Sequence, residues 1–149
     1  MNPAMRATTV ALFLKHAALA LALAPVAAPV AAHDYYTPHF QIVHPWTDPA
    51  TSGAQTLSLF MDFVQIEKDD RLLAASSPVA DKIVVRVPAE TAMPSVPLPA
   101  GKDVVLAPDG PHLVMQGIRK DLPFGSQHPL VLVFEKAGTV EVEFVVGSD

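Results

Sequence analysis

Leu57-Ser58-Leu59-Phe60-Met61-Asp62-Phe63 decides how this chain folds. Leu57, Leu59, Met61 and Phe63 alternate with Ser58, Phe60 and Asp62, which is the period-2 pattern of a half-buried strand. Met61 falls on the apolar face and reads as core. The same alternation recurs on both sides. Ile83, Val85 and Val87 alternate with Val84 and Arg86. Leu130, Leu132 and Phe134 form another strand, and Val140, Val142, Phe144 and Val146 alternate with Glu141, Glu143 and Val145. Turn signals lie between them: Asp48-Pro49, Ser52-Gly53, Ser77-Pro78, Pro108-Asp109-Gly110, Pro123-Phe124-Gly125 and Ala137-Gly138. Short strands cut by such turns predict an all-β, antiparallel sandwich or small barrel. No helical stripe, internal repeat or linker interrupts the pattern, which argues for one domain.

The first 32 residues read differently. Arg6 and Lys15 precede an apolar run from Ala17 to Ala24, and small residues ending Val30-Ala31-Ala32 follow. This is the layout of a secretory signal peptide, with an apolar core too short to span a membrane comfortably. Cleavage after Ala32 makes His33 the first mature residue and places the product in a periplasm. The domain is then 33–149, with no membrane span left. It has 117 residues, and loss of two basic residues moves the formal charge from −5 to −7. An acidic chain without a basic cluster is a poor nucleic-acid binder and a reasonable partner for a cation. The absence of cysteine excludes disulfides and thiolate ligands.

Gly110-Pro111-His112-Leu113-Val114-Met115 carries the chemistry. Imidazole and thioether together suit copper in a compartment where thiols are oxidised. Side chains alternate along a strand, so His112 and Met115 face opposite ways unless a bulge intervenes. Met115 then reads first as core. Met93, in a loop rich in Pro and Ala, reads equally as a thioether ligand or as a residue lying on the apolar surface. His33, His39 and His44 fall within twelve residues and suggest a divalent-metal arm. In that arm the terminal amine and imidazole of His33 are a Cu(II) chelate, although a solvated N-terminus explains them as simply. His44 beside Pro45 reads as a packing residue at a strand end, Trp46 as the closure of one end of the sandwich, and His128 as a loop residue. No Ser-bearing nucleophile elbow and no Gly-rich phosphate loop is present, so an enzyme is not expected.

Several segments in order resemble the PCuAC periplasmic copper chaperones. They are His44-Pro45-Trp46, Gly53-Ala54, Asp70 to Ala80, Leu98-Pro99-Ala100-Gly101, Ala107 to Leu113 and Gly117-Ile118. The resemblance implies a cupredoxin-like Greek-key β-sandwich. It implies capture of Cu(I) and its delivery to the copper centre of a respiratory oxidase, with cytochrome c oxidase subunits or assembly factors as partners. It also implies a ligand set of a His, a Met about ten residues on, and a later His-x-Met. Arg86 stands at the first His, His112 matches the second, and Val114 takes the place of the last Met, with Met115 one position late. The metal-ligand candidates are therefore His112, Met93, Met115 and His33. Two alternatives stay open on the same fold: a non-metal protein-interaction module, and Cu(II) binding at the N-terminal arm.

Overall fold

The alternating stretch becomes the central strand of the sheet. The computed structural model describes residues 34–87 and 95–147, and these contain ten strands and no helix. The strands are β1 (Asp34–Tyr36), β2 (Gln41–Thr47), β3 (Thr56–Val64), β4 (Asp70–Ser76) and β5 (Ala80–Arg86), then β6 (Val96–Leu98), β7 (Val104–Leu106), β8 (His112–Ile118), β9 (Gln127–Phe134) and β10 (Gly138–Val146). The signal-like segment, His33 and Met93 lie outside the described residues.

One hydrogen-bonded path runs β5-β8-β3-β2-β10-β9-β4-β6, with β1 beside β2 and β7 beside β3. Consecutive strands β4 and β5 stand near opposite ends of that path, yet only residues 77–79 join them. The sheet therefore rolls until its ends nearly meet, giving an all-β, nearly closed barrel or sandwich. Pairing is antiparallel except between β2 and β10, which run parallel through Trp46–Val145 and Thr47–Val146.

The core is apolar and sealed. Leu59, Met61 and Phe63 of β3 meet Leu113 and Met115 of β8, Leu130 and Leu132 of β9, and Phe144 of β10. Phe63 packs edge-on against Phe40 and Phe134, with ring centroids 6.1 and 5.9 Å away. Burying one such side chain stabilises the fold by roughly 1.5–3 kcal/mol.

One polar residue is built into this frame. Asp70 is 7% exposed at the start of β4. Its Oδ1 accepts the amides of Arg71 (2.7 Å) and Lys136 (2.8 Å), and its Oδ2 accepts that of Ala137 (2.9 Å). Lys136 and Ala137 form the turn between β9 and β10. The carboxylate thus locks a hairpin turn that has no ladder partners of its own. Burial works against its charge more than any other single influence. The three amides and the Lys136 ammonium together outweigh it and hold the carboxyl below its usual range.

Candidate metal site

β8 begins where the Pro108-Asp109-Gly110 turn ends. The Gly110 amide donates to the Ala107 carbonyl (3.0 Å), and the Ala107 amide to that of Pro111 (3.0 Å). This closed loop delivers His112 to the first position of the strand. From there the side chains alternate. Leu113 and Met115 are in the core at 1% and 0% exposure, while His112, Val114 and Gln116 take the opposite face, where Val114 is itself buried.

His112 Nδ1 lies 2.9 Å from the Gly110 carbonyl oxygen. A carbonyl only accepts, so Nδ1 carries a proton, and in the neutral ring Nε2 is the nitrogen with the lone pair. Among the described residues Nε2 has no hydrogen-bond partner. The imidazole is half-buried, oriented by its own turn, and left with one nitrogen able to bind a metal.

Its neighbours form a row across four strands. Arg86 of β5 is its direct cross-strand partner. On the other side Phe60 of β3 stands with its ring centroid 5.8 Å from the imidazole. Trp46 of β2 pairs with Phe60 in register, ring to ring at 4.6 Å. The order is cation, imidazole, phenyl, indole. Val84 and Val114 pair beside it and complete an apolar floor.

Further along the same face lies Asp62, two residues beyond Phe60. Burial raises its carboxyl above the usual range, with His44 opposing the shift and Asp103 adding to it. His44 sits in a bulge of β2, between Val43 and Trp46, with a positive φ of 48°. Among the described residues, however, no three His, Asp or Glu side chains stand close enough to hold a metal ion.

Residues 40–146 match the LpqE-like lipoprotein family model. The fold also superposes on the copper-bound PCuAC domain from PmoF2, with a TM-score of 0.71 and 30% identity over 78% of this chain and 99% of that one. The chain belongs to the PCuAC family. The apo PCuAC domain from PmoF1 is similar too, with a TM-score of 0.71 and 25% identity over 78% of this chain and all of that one. Cu(I)-loaded DR1885 from Deinococcus radiodurans shares the fold, with a TM-score of 0.57 and 16% identity over 69% of this chain and 77% of that one. A search of curated protein sequences finds no match.

In this PCuAC member the four ligand candidates do not all come together. His112 is on the outer face. Met115 is fully buried on the opposite face, packed among core residues, because no bulge breaks the alternation between them. The strand does not bring its thioether to His112. Met93 and His33 lie outside the described residues.

Two sequence expectations are corrected. Trp46 does not plug an end of the sandwich; it lies outside the core cluster, its ring tilted against Phe60. His128 is not a loop residue. It is a β9 residue, 6% exposed, with Nε2 2.9 Å from the Ser126 hydroxyl and its ring against Phe144. Burial, aided by Lys120, lowers its pKa, against the pull of Glu143. The Phe60–Trp46 support of His112 went unread, although one signal was present: Phe60 is a large apolar side chain at an outward-facing position of β3.

Proposed function

We propose that this protein is an exported copper chaperone that takes up Cu(I) through His112, with Met93 as its thioether partner. One observation carries the reading. The Nδ1 of His112 is held 2.9 Å from the Gly110 carbonyl, which orients the ring and leaves Nε2 without a hydrogen-bond partner among the described residues. The likeness to a copper-bound PCuAC domain over nearly all of that domain supports copper as the cargo. Met93 follows Arg86 by seven residues, and Arg86 is beside His112, so the chain length allows a thioether to reach the ion. Soft ligands in an incomplete shell suit transfer, since a partner's ligand displaces them readily. The receiving site is a copper centre of a respiratory oxidase, and the compartment is the periplasm.

The test is competition for Cu(I) against a calibrated chelator. His112→Ala and Met93→Leu each weaken retention at least about tenfold, as loss of a ligand must if loss of an outer-shell partner costs 10–100-fold. Retention by His112→Ala equal to wild type refutes the reading.

A second reading has its own support. Arg86 stands opposite His112, where a cation hinders metal capture and suits a carboxylate on another protein. A protein-docking module on the same face binds no copper in that competition, with or without His112.

A further inference from the structure

β5 is an end strand of the hydrogen-bonded path, paired with β8 on one side only. Among the described residues, no backbone hydrogen bond from outside that ladder reaches residues 81–86. A seven-residue strand therefore presents one row of N–H and C=O groups without a ladder partner, which is a template for a further strand. Its side chains sort by face. Val85 is core, and Ile83 packs against the core. Lys82, Val84 and Arg86 take the opposite face, paired in register with Gln116, Val114 and His112. Lys82 and Arg86 are exposed. Among the described residues the ion pair is Arg119–Asp81, and neither Lys82 nor Arg86 belongs to one. The free edge thus carries cation, aliphatic side chain and cation at alternate positions, with the two charges about 13 Å apart along the strand.

That order decides what can pair there. A second copy of this chain is disfavoured. Pairing two β5 strands about Val84 sets Lys82 opposite Arg86 in the antiparallel case, and each cation opposite its own copy in the parallel case. Like charges directly opposite are destabilising. A strand with a carboxylate, an aliphatic residue and a carboxylate at positions i, i+2 and i+4 is complementary. An added strand lies about 4.8 Å away, with opposed Cβ atoms about 4.5–5.5 Å apart, so each carboxylate reaches its cation and the aliphatic side chain lies beside Val84. The pattern reads the same in both chain directions, so charge sets the register and leaves the direction free. Main-chain hydrogen bonds supply the binding, and alternate side chains supply the selectivity. We propose that the free edge of β5 takes up an extended acidic segment of a partner protein as an added strand. This rests on the protein-docking reading and deepens it, and it needs no metal at His112.

The probe is an acetylated, amidated heptapeptide with glutamate, valine and glutamate at its second, fourth and sixth positions and threonine at the others. Its binding to the isotope-labelled protein is followed by amide chemical shifts and hydrogen exchange. The acidic peptide binds saturably, with a Kd of about 1 mM or tighter, and slows exchange of the β5 amides that point away from β8. The same peptide with lysine for glutamate does not bind. No saturable binding, or equal binding of the lysine peptide, overturns the proposal. Two N-methylated acidic peptides test the mode, one methylated at even positions and one at odd positions, because alternate amides of a strand point to opposite sides. One loses binding and the other keeps it. Equal behaviour of the two overturns the added strand and leaves docking through side chains. Arg86→Gln and Lys82→Gln each weaken binding about 1.5- to 5-fold, as loss of an exposed pair does. Lys82→Glu combined with Arg86→Glu switches the preference to the lysine peptide. Affinity unchanged in both single variants overturns the charge match. Failure of the docking reading itself shows separately, as copper retention by wild type that His112→Ala abolishes.

Discussion

Replacing Asp70 with Asn should destabilise this protein by about 2–4 kcal/mol at pH 7, with no effect on the outer face around His112. Asparagine keeps one acceptor oxygen, enough for the Arg71 and Lys136 amides that Oδ1 now serves. It presents an NH2 group where Oδ2 accepts the Ala137 amide. That amide then faces a donor. A buried donor left unpaired costs about 1–3 kcal/mol, and losing the charge on the other two bonds adds about 1 kcal/mol more. Against a usual total of about 5–15 kcal/mol, the change is large. Urea denaturation at a series of pH values is the assay. The native environment holds the Asp70 carboxyl below its usual value. Its contribution is therefore complete above about pH 4, the unfolded value, and is lost as pH falls through the lower folded value. The gap between wild type and Asp70→Asn should narrow as pH drops below about 4. A gap under about 0.5 kcal/mol at pH 7, or one constant from pH 7 to 3, refutes the assignment of Asp70 as the lock on the β9–β10 turn.

Two other substitutions separate strain and burial from surface charge. Gly117 has φ of 66°, and a Cβ there collides with the Asp81 carboxylate. Gly117→Ala should cost about 2 kcal/mol or more in thermal or urea unfolding. Arg119→Ala, which only removes the exposed partner of Asp81, should cost under about 1 kcal/mol. Equal costs would show that the pair, not the backbone, matters at this corner. His128 is held neutral by burial, with a lowered pKa. Its unfolded value is about 6.5, so its contribution is whole above that pH and declines as pH falls towards the folded value. Wild type should lose stability relative to His128→Gln as pH falls below about 6.5, and parallel pH profiles would contradict this.

The strands of the barrel were legible because its apolar face is periodic. Leu59, Met61 and Phe63, and then Val142, Phe144 and Val146, were readable as core, and they are core. The parallel β2–β10 pair was not readable, since nothing in Trp46-Thr47 or Val145-Val146 marks strand direction. His128 reads as a loop residue in the sequence because Pro129 follows it, yet both lie in β9. β9 tolerates that proline, whose cross-strand partner is Glu143. At the site, the opposition of His112 and Met115 followed from alternation alone. The Arg86–His112 register did not, because two strands 26 residues apart can pair in any of several registers. The structure fixes that register, and with it the charge beside the imidazole.

That register also bears on how a site with so few ligands could work. A metal held deep in the barrel, near Met115 or Met61, would be sealed from any partner, since both thioethers are buried in the core. His112 is different. Its ring is anchored from below by the Gly110 carbonyl and from the side by Phe60, so little rotamer entropy remains to be lost when an ion binds. The free nitrogen lies on the opposite face of β8 from Met115. Arg86 at the next strand keeps a bare ion from settling there too firmly. In the proposed transfer, orientation would favour capture and the fixed charge release, with one row of side chains across four strands supplying both.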